Sequence, residues 1–139
     1  MFDELSIYNY NGHFFFKETD SLSKFCNAPP DKSGVYILYV TETHELIYIG
    51  STGKMQQNGS LKVRHGGMKD RLVNGKQFEQ PRRISWPFQM RKDNINQIKV
   101  KCYVTYDDNY KHIPASIEGK LIQEYYDAIG KLPIWNIEF

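Results

Sequence analysis

Two phenols, a guanidinium and a carboxylate stand out as side chains that could act together on a phosphate. Tyr36 and Tyr48 close and open two short apolar segments, Gly34-Val35-Tyr36 and Tyr48-Ile49-Gly50, with eleven residues between the tyrosines. Glu118 sits on or beside a stripe of helical period made by Ile117, Leu121, Ile122, Tyr125, Ala128 and Ile129. A carboxylate turned towards an apolar face is costly unless it is paired or holds a cation. The plainer role for Glu118 is a first-turn acid favoured by the helix dipole. Arg64 lies near the apolar positions Leu61, Met68 and Leu72. Its planar fork of donors suits bidentate contact with a phosphate, or else it is one more solvent-facing cation beside Lys62, Lys69 and Arg71.

These groups need elements to position them. Val35–Val40 and Leu46–Gly50 read as two strands. With a three-residue loop at 41–43, Tyr36 opposes Tyr48 and the phenols converge; with a four-residue loop Tyr48 opposes Ile37 and points away. Asn11-Gly12, between two aromatic runs in residues 6–16, reads as the turn of an N-terminal β-hairpin. Ser21 to Ala28 reads as a short helix stopped by Pro29-Pro30. Residues 51–59 form a polar loop, and Ser60 is placed to cap a helix from Leu61 to Val73, ended by Asn74-Gly75. Residues 76–97 read as irregular, with a short helix after Pro87. Ile98–Tyr106 reads as a third strand. Pro114 starts a helix that runs to Ile129 and ends on Gly130, followed by a terminal strand around Trp135–Ile137. The expectation is one α+β domain over 1–139: a small three-stranded antiparallel sheet flanked by helices, with its core at 33–137 and residues 1–32 as a hairpin extension.

Charge is unevenly distributed. Residues 54–101 carry twelve Lys and Arg against three Asp and Glu, whereas the segments on either side are net acidic. Such a block, with doublets at Arg82-Arg83 and Arg91-Lys92, is what contacts to a phosphate backbone require. Lys62 belongs to the same surface. The longest apolar run, Val35 to Val40, falls far short of the ~20 residues of a membrane span, and the acidic, aromatic start is unlike a signal peptide. Cys26 and Cys102 are far apart and the four His lack metal-site spacing, which argues against a disulfide framework or zinc knuckle and fits the cytoplasm.

The paired segments Gly34-Val35-Tyr36 and Tyr48-Ile49-Gly50, followed in order by Arg64, Glu118 and Asn136, resemble the signature of the GIY-YIG nuclease superfamily. The resemblance covers roughly residues 33–137. It implies a divalent-metal-dependent endonuclease that hydrolyses DNA, with Mg2+ or Mn2+ on Glu118, Arg64 steadying charge on the scissile phosphate, and Asn136 bracing the site. Tyr48 would orient or deprotonate the attacking water, supported by Tyr36. Since a phenol of pKa ~10 is a poor base at neutral pH, Arg64 and the metal would have to lower it. Lys62, Arg82, Arg83, Arg91 and Lys92 would grip double-stranded DNA. The chain departs from the family in its long 51–59 segment and in Met68, where members carry His or Tyr, with Gly66-Gly67 interrupting the helix. His65 is the residue that would replace the missing group. With no appended DNA-binding segment, it is most similar to compact restriction-type or phage-type members. One site per chain would need a homo-oligomer for double-strand cutting. The rival expectations are a binding module on the same fold without turnover, and a protein-interaction domain.

Overall fold

The structure is a computed structural model and describes residues 1–139. A 3-10 turn at Asp3–Ile7 leads into β1 (Asn11–Lys17), α1 (Leu22–Phe25), β2 (Ser33–Val40) and β3 (Leu46–Thr52). There follow β4 (Lys54–Met55), β5 (Leu61–Lys62), α2 (Gly67–Asn74), β6 (Lys76–Gln77) and β7 (Gln80–Pro81). The chain ends with α3 (Arg82–Lys92), β8 (Gln97–Tyr106) and α4 (Pro114–Ile129). The main sheet is antiparallel with order β1-β8-β2-β3, so the domain is α+β. No helix is long and apolar enough to cross a membrane.

The sheet has four strands where three were expected, because the N-terminal segment is not a hairpin. Asn11-Gly12 opens β1, which pairs with β8, setting Phe14 opposite Val100 and Phe16 opposite Ile98. Phe14 and Phe16 are buried while His13 and Phe15 face out, the alternation of a strand with one covered face. The first aromatic run folds instead as the 3-10 turn and buries Phe2, Leu5 and Tyr8.

Both faces of the sheet are covered at β2 and β3. Tyr36, Leu38, Val100 and Phe16 pack with Met68, Leu72, Trp86, Met90 and Trp135 beneath α2 and α3. Val35, Ile37 and Ile49 pack on the other side with Ile117, Leu121, Ile122 and Tyr125 of α4 and with the N-terminal turn. Helix α4 has the expected limits, with Pro114 in its first turn and Gly130 at φ 85° as its left-handed cap.

Three local expectations fail for identifiable reasons. Helix α2 begins at Gly67, not Leu61, because Leu61–Lys62 pairs with Lys54–Met55 in a small hairpin. Ser60 is spent inside that hairpin, its single hydroxyl proton shared between Gln56 Oε1 at 2.9 Å and Asn58 Oδ1 at 2.7 Å, so it caps nothing. Gly66 and Gly67, at φ 83° and 57°, start the helix instead of interrupting it. Helix α3 begins before Pro87 and includes it, anchored by the buried Trp86 and Met90. Finally, Trp135–Ile137 is not a strand, yet it covers the free edge of β3. The Trp135 N–H donates to Ile47 O at 2.8 Å. Asn136 Oδ1 accepts from Ile49 N–H at 3.0 Å, and its Nδ2 donates to Ile49 O at 2.9 Å. One amide side chain thus satisfies both polar groups of an edge residue, as a neighbouring strand would.

Asn136→Ala orphans both of those buried groups at once, each worth about 1–3 kcal/mol. The variant should melt well below wild type by circular dichroism. Coincident melting curves would mean that water replaces the amide and the edge does not depend on it.

Candidate active site

The local register of β2 and β3 decides where the phenols go. A bulge between Leu38 and Tyr39 leaves Leu38 opposite Tyr48 and Tyr36 opposite Gly50, so neither simple loop length describes the hairpin. Tyr36, Leu38 and Tyr48 consequently share a face, and the two phenol rings are diagonal neighbours, stacked with centroids 6.1 Å apart and 27° between planes. Gly50 makes this possible: a Cβ there would lie 2.5 Å from the Tyr36 ring. The glycine ending Tyr48-Ile49-Gly50 is the floor on which Tyr36 rests.

Beneath the pair lies Arg82, the first residue of α3, fully buried at 0% exposure. Its guanidinium carbon is 5.4 Å from the Tyr36 ring centroid and 5.7 Å from those of Tyr48 and Trp86. Its Nε donates to Gln77 Oε1 at 2.9 Å, Nη1 to the Arg71 carbonyl at 2.7 Å, and Nη2 to Tyr48 Oη at 3.3 Å. Gly75 leaves the space, since a Cβ there would come within 2.5 Å of Nη1. A residue expected to grip DNA from the surface is therefore an internal pillar. Its place follows from α3 starting directly after β7, which turns position 82 inward.

Arg71 of α2, not Arg64, faces the tyrosines. Burial alone would lower its pKa, but Tyr36, Tyr48 and Glu118 around it outweigh that and raise it. The Tyr36 hydroxyl interacts with this guanidinium without a well-formed hydrogen bond, and its buried Oη has no partner. Arg64 lies off the helix and is held away by Asp70, with Nε donating to Oδ2 at 2.7 Å, the molecule's one salt bridge. His65 is exposed in the turn before α2, and Met68 is buried in the core. Helix position 64 was a consequence of starting the helix at Leu61; once Gly66 and Gly67 set the true start, Arg71 takes the inward-facing turn.

Glu118 comes from the opposite face of the sheet, at the start of α4, and meets the others past the end of the covered β3 edge. Burial raises its pKa above the usual carboxylate value, partly offset by the Ser51 hydroxyl and by Arg71 and Arg82. Tyr48 in turn is pushed up to about 12, by burial first and then by Tyr36 and Glu118, while Arg82 pulls the other way. The expected lowering of the Tyr48 pKa does not occur in the protein alone, because burial outweighs the nearest cation. Asn136 is one step removed, fixing β3 through Ile49 rather than touching the tyrosines.

Beside this cluster opens a cleft of about 470 Å³ lined by Ser51, Thr52, Lys54, Lys62, Arg64 and Arg71. Four cations and two hydroxyls line it, with no carboxylate among its walls. Lys54, on β4, escaped the sequence reading because only the β4–β5 hairpin brings it to Lys62. Arg91 and Lys92 are exposed at the end of α3, and Arg83 is exposed with Nη1 donating to Asn74 Oδ1 at 3.1 Å. No group of three or more His, Cys, Asp or Glu gathers anywhere to wrap a metal ion, so Glu118 is the carboxylate that this cluster offers. The chain matches no family model, no curated protein and no solved structure.

A raised carboxylate pKa has a definite consequence for stability. The folded state holds the Glu118 proton more tightly than the unfolded chain, so stability falls as pH rises from the unfolded pKa through the folded one. Glu118→Gln removes that penalty and should melt higher than wild type at pH 7. Millimolar Mg2+ or Mn2+ should raise the wild-type melting temperature and leave the variant's unchanged. Equal shifts in both proteins would remove Glu118 as a cation ligand.

Proposed function

We propose that this protein is a divalent-metal-dependent DNA endonuclease of the GIY-YIG type. The observation that carries the reading is the meeting of Tyr36, Tyr48, Arg71 and Glu118, from four separate elements, beside a cleft walled by Lys54, Lys62 and Arg64. Phosphodiester hydrolysis asks for that set: cations to hold the backbone, a guanidinium at the scissile phosphate, a hydroxyl to aim water, and an acid able to hold a metal.

In this reading the cleft takes a DNA strand, with Lys54, Lys62 and Arg64 on the flanking phosphates and Arg71 on the non-bridging oxygens of the reacting one. Tyr48 keeps its proton at neutral pH, so it orients the attacking water and leaves its deprotonation to other groups. Arg82 fixes the direction of that hydroxyl. The Tyr36 hydroxyl, buried against the Arg71 guanidinium, supports that side chain and Tyr48 from within. Glu118, with Ser51 beside it, suits Mg2+ or Mn2+, hard ions that need few protein ligands and complete their shell with water and phosphate oxygen. When bound, such an ion neutralises charge on the phosphate and leaving oxygen. Double-strand cutting would bring two copies of the chain to one duplex. The raised pKa values of Glu118 and Tyr48 favour, as the second reading, a nucleic-acid-binding module without turnover.

Supercoiled plasmid with Mg2+ or Mn2+ over a wide pH range separates the two, since the binding module leaves it uncut. For the nuclease, Glu118→Ala should abolish cutting while sparing DNA retention. Arg71→Ala should lower the rate by about 10²–10³, the cost of losing one charge-stabilising donor group. Arg64→Ala should weaken binding more than turnover. If Arg64→Ala instead slows cleavage as much as Arg71→Ala, the roles assigned to the two arginines are reversed.

A further inference from the structure

The basic cleft does not exhaust the molecule's unpaired cations and uncovered aromatics. On the far face of the sheet α4 packs over β3 and β2, and the N-terminal turn covers the end near Tyr103, but β1 and the adjoining part of β8 carry no helix. The register there builds a regular surface. Lys99 of β8 is flanked by Phe15 of β1 and Tyr39 of β2, so one row reads aromatic, cation, aromatic across three strands. In the next row Lys101 is flanked by His13 and by the buried Ile37. Phe15 is 40% exposed, and the His13 ring meets its edge with centroids 5.6 Å apart. Lys99 Nζ lies 5.7 Å from the Phe15 centroid and Lys101 Nζ 6.0 Å from that of Tyr39.

Neither ammonium has a carboxylate within ion-pair distance. Two open hollows of about 450 Å³ each lie against these lysines. One is lined by Phe15, Tyr39, His44, Lys99 and Lys101 among others and has no acidic residue. The second, towards His13 and Tyr103, includes one acid, Asp3.

We propose that this face binds single-stranded nucleic acid, stacking bases on Phe15 and Tyr39 and holding the phosphate between them on Lys99 and Lys101. Cations alone would suit any polyanion; an exposed ring (Phe15) and a half-buried one (Tyr39) interleaved with them suit one whose units alternate an anion with a flat π-face. Phe15 and Tyr39 stand two strands apart, roughly 10 Å, a span of about two nucleotides in an extended strand. A duplex keeps its bases paired and stacked on each other, so it cannot use the rings. The surface lies on the opposite face of the sheet from the phenol pair, and the proposal does not rest on cleavage.

The test is fluorescence anisotropy of the whole chain with fluorescein-labelled oligothymidylate and oligouridylate of about 20 nucleotides, without divalent metal, over a salt series. Lys99→Gln with Lys101→Gln should weaken binding and reduce the slope of log affinity against log salt by about 1.4, the value for two phosphate contacts on a single strand. Phe15→Leu, which keeps apolar bulk at a half-open position, should weaken binding roughly 5- to 150-fold, the equivalent of about 1–3 kcal/mol for one stacked base. Unchanged melting temperatures show that the variants fold; should Phe15→Leu fail to, the lysine double variant decides by its salt slope. Tighter binding of one oligomer than the other identifies DNA or RNA as the natural strand. Wild-type affinity in both variants, or displacement of the oligomer by polyglutamate as readily as by unlabelled oligomer, overturns the proposal.

Discussion

A guanidinium with no carboxylate in ion-pair contact lies at the centre of the candidate site, and most of the surrounding arrangement answers to it. Arg82 is wholly buried, and its polar partners are an amide oxygen, a backbone carbonyl and a phenol, all uncharged. An isolated buried charge is expensive, and hydrogen bonds to neutral groups recover only part of its lost hydration. Three aromatic faces at 5.4–5.7 Å recover more. Each of these contacts also ties down an element: the Arg71 carbonyl fixes the end of α2, Gln77 fixes β6, and Tyr48 fixes β3. The Trp86 indole N–H shares the same Gln77 oxygen at 3.0 Å, so α3 is held to β6 twice. Orientation of Tyr48 and placement of Arg71 are thus two results of solvating one cation.

The second constraint is the edge of β3. An unpaired edge strand invites pairing with other chains, and here the residues after Pro133 occupy it. Trp135 and Asn136 satisfy Ile47 and Ile49, and with the alternation of a strand the next outward-facing peptide groups belong to Ser51. The cover ends there, and Glu118 reaches around the sheet at that point to the Ser51 hydroxyl. The site lies where it does because the edge is closed up to Ile49 and open beyond it.

How far the sequence reveals this depends on whether a feature is local. The strand pair, the β8 strand and α4 with both its ends are carried by short-range pattern and cap chemistry, and they were legible. Helical period placed Glu118 at the margin of the apolar stripe of α4, but only the resemblance of the tyrosine segments singled it out from an ordinary first-turn acid. The Tyr36–Tyr48 geometry was not, because the bulge at Leu38/Tyr39 is a product of pairing on both sides of β2. Arg71 was hidden by a competing local signal: Ser60 before Leu61 has the form of a helix cap, but the β4–β5 hairpin claims both residues. Asn11-Gly12 misled in the same way, with β8 offering a partner strand that no nearby sequence announces. For Arg82 no sequence signal existed, since nothing in a basic doublet says which member turns inward.

The polar groups of the cluster are each incompletely satisfied, and in complementary ways. Burial pushes Glu118 towards its neutral form, Tyr36 Oη has no partner, and Arg71 and Arg82 together carry two positive charges against at most one carboxylate. Closing any one of these alone is unhelpful. A cation on Glu118 would favour its charged form but add to the positive excess, whereas an anion beside the arginines would balance them but discourage Glu118 from ionising. A phosphodiester and a divalent cation arriving together resolve all of it: the anion meets the guanidiniums, the cation meets the carboxylate, and the two neutralise each other. Under the proposed function, that mutual dependence would make metal and DNA bind cooperatively, each more tightly in the presence of the other by the same factor.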